Sequence, residues 1–151
     1  MSETQQLAEA KQDDKQHLEE QHFKIISYFR KRMDAQPLHS ALKSFNVHEA
    51  VCMSGVYEIR RENTVIYIGG NPHFSNIRDC LNAHFSGNDG LALGAWLNGA
   101  GKRQWKIITV RWMACANPHD VAYYLLEEYQ RKNGHLPLFN NPPVNQAASK
   151  Q

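Results

Sequence analysis

From Leu18 the apolar residues recur at helical spacing, with Leu18, Ile25, Ile26, Phe29 and Met33 on one stripe beside His22. This periodicity predicts an amphipathic helix that ends near Asp34, with Pro37 as its stop signal. Residues 1–16 are almost wholly polar and offer little apolar surface to anchor them, so fraying or disorder is expected there. The stripe is expected to pack on the main domain, with homodimerisation through the same face as the alternative. Residues 38–49 read as a second short helix. The period then changes. Val51 to Arg60 and Thr64 to Gly69 are rich in Val, Ile and Tyr, and Arg61-Glu62-Asn63 separates them, which predicts an antiparallel β-hairpin. Gly69-Gly70-Asn71-Pro72 ends the second strand. Ser75 is the expected N-cap of a helix carrying Ile77, Leu81 and Phe85 and ending at Ser86-Gly87. Residues 88–104 read as a loop around a short apolar piece, Leu91 to Leu97, and Trp105 to Met113 as a third strand. Asn117, with Pro118 at the first helical position, opens a last helix through Tyr129, and Gly134 marks its end. From Asn141 onward, with Pro142-Pro143, the chain is expected to be loose.

The order is a helical arm followed by β-β-α-β-α. This predicts an α+β fold, a small three-stranded antiparallel sheet sandwiched by helices. The expected division is an arm over residues 1–50, a folded domain over 51–141 and a flexible tail over 142–151. At 151 residues, 42% of them apolar and 21% charged, the chain holds one domain with a modest core. No stretch approaches the roughly 20 apolar residues that a membrane span needs. The polar N-terminus lacks an export signal, so a cytoplasmic protein with no membrane association is expected. Cys52, Cys80 and Cys115 are widely spaced, form no C-x-x-C pair and read as reduced thiols rather than as a zinc ribbon or disulfide framework. The formal charge is +2, and its distribution says more. Residues 1–36 carry six Lys/Arg against seven Asp/Glu and residues 37–151 eleven against eight, so the later part can meet phosphate without demanding it.

The hairpin carries two tyrosine triplets, Gly55-Val56-Tyr57 and Tyr67-Ile68-Gly69. Each alone suits any half-buried strand. Arg78 and His84 follow on the next predicted helix, Glu127 on the last one, and Pro137-Leu138-Phe139-Asn140 after it. This series resembles the GIY-YIG nuclease family, found in homing endonucleases, some restriction enzymes and an incision subunit of nucleotide-excision repair. The resemblance covers more than half of the chain and implies that residues 51–141 are a GIY-YIG-like nuclease domain. It implies a DNA endonuclease with one Mg²⁺ or Mn²⁺ ion per site, in which Tyr57 is the general base and Glu127 the metal ligand. Arg78 would bind the scissile phosphate, Asn140 would orient the site, and Tyr67 and His84 would complete it.

Phosphodiester cleavage needs an activated water, stabilisation of added negative charge and help for the leaving oxygen, and these residue types can supply them. A tyrosine acts as base only where its surroundings favour the loss of its proton. The arginine has two readings. Counted forward from Tyr67 it is Arg78; counted back from His84, its place is held by Cys80. The two positions lie about 200° apart around a helix and cannot serve one site. If Cys80 stands there, the phosphate clamp is absent, and the alternative is a catalytically weakened GIY-YIG-fold module that binds nucleic acid. Asn145, in Pro142-Pro143-Val144-Asn145, competes with Asn140 for the asparagine position. The loop before the third strand adds Lys102, Arg103 and Trp105, a set suited to a phosphate backbone and a stacked base; a strand entry with solvated charges is the plain alternative.

Overall fold

In the computed structural model, residues 2–43, 52–70 and 76–140 are described. Helix α1 spans Glu3–Asp34 and opens on a capping box, with Ser2 accepting from the Gln5 amide and the Gln5 side chain accepting from Ser2. Its first two-thirds are exposed. Its last third buries Ile26 and Met33 and packs Phe29 against the core, so that part of the predicted stripe meets the rest of the chain, while Leu18 and Ile25 stay exposed. The resulting fold is α+β, with a four-stranded rather than three-stranded antiparallel sheet. The strands are β1 (His39–Ser40), β2 (Gly55–Arg61), β3 (Thr64–Gly70) and β4 (Ile108–Ala114), in the order β1-β4-β2-β3.

The extra strand is β1, where a short helix was expected. Its two residues pair with Val110 and Thr109, and the His39 ring stacks on Trp112 with centroids 4.1 Å apart. Only this long-range pairing makes the segment a strand, which is why local pattern missed it. The remainder of that expected helix, residues 44–49, falls outside the described residues, as do Ser75 and the tail with Asn145. Helix α2 (Ile77–Ser86) is capped by Asn76, whose side chain accepts from the Asp79 amide at 2.8 Å, and ends at Gly87 with φ 79°.

The loop expected over residues 88–104 is mostly helical. Helix α3 spans Ala92–Asn98, and a 3₁₀ segment runs over Ala100–Ile107, which delays the start of β4 from Trp105 to Ile108. Glycine and asparagine at 98–101 signalled a break, yet the apolar piece between them buries Leu93 and Leu97 as a helix face. Helix α4 (Pro118–Asn133) runs past Tyr129 and stops at Gly134, again with φ 79°.

The central strand β2 is covered on both sides, and alternation along it separates two cores. Tyr57 and Ile59 join Trp112, Cys80, Leu81, Leu93 and Leu97 under α2 and α3. Val56 joins Ile68, Met113, Met33, Val121 and Leu125 under α1 and α4. Glu58 points to the second side and is fully buried opposite Arg111, its partner on β4. Arg111 Nε donates to Glu58 Oε1 at 2.7 Å, Arg60 Nη1 to the same oxygen at 3.1 Å, and Arg30 Nη2 lies 2.7 Å from Oε2. An isolated buried carboxylate would cost several kcal/mol, so these guanidinium groups are what allow it there. No helix among the described residues is long and apolar enough to cross a membrane.

Candidate functional site

The hairpin and α2 bring three of the expected site residues together on the first side of the sheet. The Tyr57 hydroxyl lies 2.6 Å from Nε2 of His84, whose Nδ1 is 2.7 Å from Oδ2 of Asp89. The Tyr67 ring closes over them, its centroid 5.1 Å from that of His84 and 6.1 Å from that of Tyr57. A carboxylate only accepts hydrogen bonds, so Nδ1 of His84 carries the proton and Nε2 offers a lone pair to the Tyr57 O–H. Asp89 Oδ1 also accepts from the Leu91 amide at 2.8 Å. The result is an unbroken buried line, Asp89 to His84 to Tyr57.

Two glycines make room for it. Gly69 stands directly opposite Tyr57 on β3, and a Cβ there would collide with the Tyr57 hydroxyl. A Cβ at Gly94, on α3, would collide with the Asp89 carboxylate. Asp89 is the residue that the sequence reading missed. It lies in Asn88-Asp89-Gly90, which reads as a turn, and its five-residue offset from His84 has no helical meaning because Gly87 ends α2 between them. Only its hydrogen bond to His84 reveals it.

The electrostatics of this line run one way. Burial is the main cause that raises Tyr57 well above the ordinary tyrosine value, and neighbouring Tyr67 and Cys80 add to it. Tyr67 is raised too, chiefly by burial. Burial lowers His84 even though Asp89 pulls the other way. At neutral pH the proton therefore rests on Tyr57 and the imidazole is neutral.

Cys80 sits one helical turn before His84 on the buried face of α2, next to Tyr57, and burial pushes its thiol up to about 11. Arg78 points elsewhere. Its Nη1 lies 3.2 Å from Cys52 Sγ and its Nε 3.8 Å from Asp79, at the surface. Asn140 lies in a short 3₁₀ turn (Leu138–Asn140) and grips the free edge of β3. Its Oδ1 accepts from the Ile68 amide at 2.9 Å, and its Nδ2 donates to the Ile68 carbonyl at 2.8 Å. It thus replaces a neighbouring strand beside Tyr67 and fixes the backbone there.

Glu127 is not with the tyrosines. It belongs to α4, which packs on the other side of the sheet, and its Oε2 lies 2.8 Å from Nε2 of His22 on α1, while Oε1 is 3.4 Å from Arg131. A divalent ion at this carboxylate would have to replace one partner and sit beside the other. Among the described residues no group of three His, Cys, Asp or Glu side chains is placed to hold a metal. In this arrangement both Glu127 oxygens face neighbouring side chains, His22 and Arg131.

Lys102 and Arg103 are exposed on the 3₁₀ segment. Trp105 is committed to packing. Its Nε1 donates to the Leu97 carbonyl at 2.9 Å, and its ring meets Phe85 edge-on at 5.2 Å. No protein-family model, no curated protein and no solved structure matches the chain.

Proposed function

We propose that this chain is a GIY-YIG-type endonuclease that hydrolyses phosphodiester bonds in DNA with Tyr57 as its proton-handling group. The observation that carries this reading is the line Asp89–His84–Tyr57. Tyrosine is a poor base alone, and burial here makes free phenolate still less accessible. A shuttle avoids phenolate altogether. As the attacking water passes a proton to the Tyr57 oxygen, Tyr57 passes its own to Nε2 of His84, and Asp89 stabilises the imidazolium that forms. Tyr67, half-buried beside them, would orient the water, and Asn140 holds the strand that carries Tyr67. The divalent ion implied by the resemblance would need His22 to leave Glu127 first.

A second reading, a weakened module that binds nucleic acid, is favoured by one observation. Cys80, not an arginine, occupies the buried turn before His84, while Arg78 faces Cys52. Loss of one such charge-stabilising group costs about 10²–10³ in rate.

Nicking of supercoiled plasmid in Mg²⁺ or Mn²⁺ tests both, with Tyr57→Phe, Asp89→Asn and Glu127→Ala as variants. Cleavage by the wild type that falls in Tyr57→Phe and Asp89→Asn supports the shuttle. Cleavage lost only in Glu127→Ala would move the chemistry away from Tyr57. A wild type that shifts DNA in a gel but cuts no more than an EDTA control establishes the binding module instead.

A further inference from the structure

The second side of the sheet holds a cavity of about 320 Å³ whose wall is rich in cations: Arg30 from α1, Arg60 from β2, Arg111 from β4 and Lys132 from α4. The three arginines share too few counter-ions. Glu58 is fully buried beneath them and faces all three, and Asp34 Oδ1 is 2.6 Å from Arg30 and 2.9 Å from Arg111. Arg60 donates to Glu58 and to the Asn63 carbonyl, yet its Nε is buried without a hydrogen-bond partner, and Glu58 Oε2 is met by Arg30 as an ion pair rather than a hydrogen bond. A buried unsatisfied donor costs about 1–3 kcal/mol, so the cluster is built with hydrogen-bonding capacity left over. Lys132, exposed on α4, adds a further cation to the wall, which Glu128 also lines.

We infer that this cavity is a binding site for a small phosphorylated ligand of nucleotide size. Guanidinium forks from different strands and a helix, joined by an ammonium, suit a tetrahedral phosphate dianion, whose several terminal oxygens take bonds from different directions. The volume falls near the lower end of the range of about 300–1,000 Å³ in which small molecules are held, which is more than phosphate alone requires. The remaining wall has the character a nucleoside needs, with Val65 and the Tyr129 ring as apolar surface and the Asn133 amide as a polar group. The site is separate from the Tyr57 line and does not depend on that line being catalytic, because the two point away from opposite faces of β2.

The test is calorimetric titration of the intact protein with adenosine 5′-monophosphate, with inorganic phosphate, and with adenosine. The nucleotide is expected to bind saturably and to weaken as salt rises, phosphate to bind more weakly at the same site, and adenosine not to bind. Lys132→Glu, a change at an exposed residue outside the Glu58 cluster, should weaken the nucleotide by at least about tenfold, since a charge-assisted hydrogen bond is worth that much. Arg60→Gln should abolish binding while circular dichroism reports an unchanged fold; if that variant misfolds, Lys132→Glu decides. No heat from nucleotide or phosphate at millimolar concentration overturns the site. So does equal affinity in Lys132→Glu, and so does binding that survives there but is lost in Tyr57→Phe.

Discussion

Tyr57 and Glu58 are neighbours on the same strand, and each buries a polar side chain in a different way. On the Tyr57 side, hydrogen bonds in series solve the problem, with a single carboxylate at the far end satisfied by His84 and the Leu91 amide. On the Glu58 side, three guanidinium groups converge on one carboxylate. The first arrangement uses each partner once and leaves a proton that can shift along the line. The second matches charge with charge, three guanidinium groups against Glu58 and Asp34, and leaves one buried Arg60 N–H without a hydrogen bond. One side is thus suited to moving a proton and the other to holding an anion.

The strongest way to break this contrast is Glu58→Ala. It leaves Arg30, Arg60 and Arg111 facing one another without their common counter-ion, and stability to urea should fall by about 3–5 kcal/mol. A loss below about 1 kcal/mol would mean that water already solvates the arginines and that the carboxylate is dispensable.

Replacing His84 comes next. His84→Ala leaves the Tyr57 hydroxyl and the Asp89 carboxylate buried without their partner, at a cost of about 2–3 kcal/mol. The same residue sets a pH dependence. The native imidazole is lowered from the ordinary 6.5 by burial, so the unfolded chain takes up the proton first as the pH falls. Stability contributed by neutral His84 is complete above 6.5 and declines from there down to the native value. Urea titrations across that window should show the decline in the wild type and a shallower one in His84→Gln. Equal slopes would show that another group governs the acid limb.

Asn140→Ala should cost about 1–2 kcal/mol, because two backbone groups of Ile68 lose their partner at the sheet edge. Faster amide exchange at Ile68 would report this directly. The smallest effect is expected at His22→Ala, where a half-exposed pair with Glu127 is worth less than about 1 kcal/mol. A larger loss would mean that α1 depends on this contact rather than on Ile26 and Met33.

The hairpin, α2 and the last helix were legible because each follows from short-range pattern: β-branched runs around a polar break, glycine C-caps, and apolar spacing on one helix face. The meeting of Tyr57 and Tyr67 with His84, which lies 27 positions from Tyr57, was expected from the family resemblance and not from local pattern. The failures have a common cause. Helix α3 and its 3₁₀ extension lie between glycines that signal a loop, and they form because Leu93 and Leu97 find a core that no local window contains. The two-residue β1 is a strand only because β4 is beside it. Trp105, expected to open the third strand, lies instead in the 3₁₀ segment with its ring edge-on to Phe85.

By itself the sequence determined the class of fold and the chemistry available to it, since periodicity, caps and residue type are local properties of the chain. Tertiary structure alone decided the company each polar group keeps. Asp89 joined His84 across the end of a helix, Glu127 went to His22 on the other side of the sheet, and three arginines from three elements met at Glu58. Those pairings depend on which face of a strand each residue occupies and on which helices cover that face. Side-chain alternation sends adjacent residues to opposite cores, and only packing determines what waits for them there.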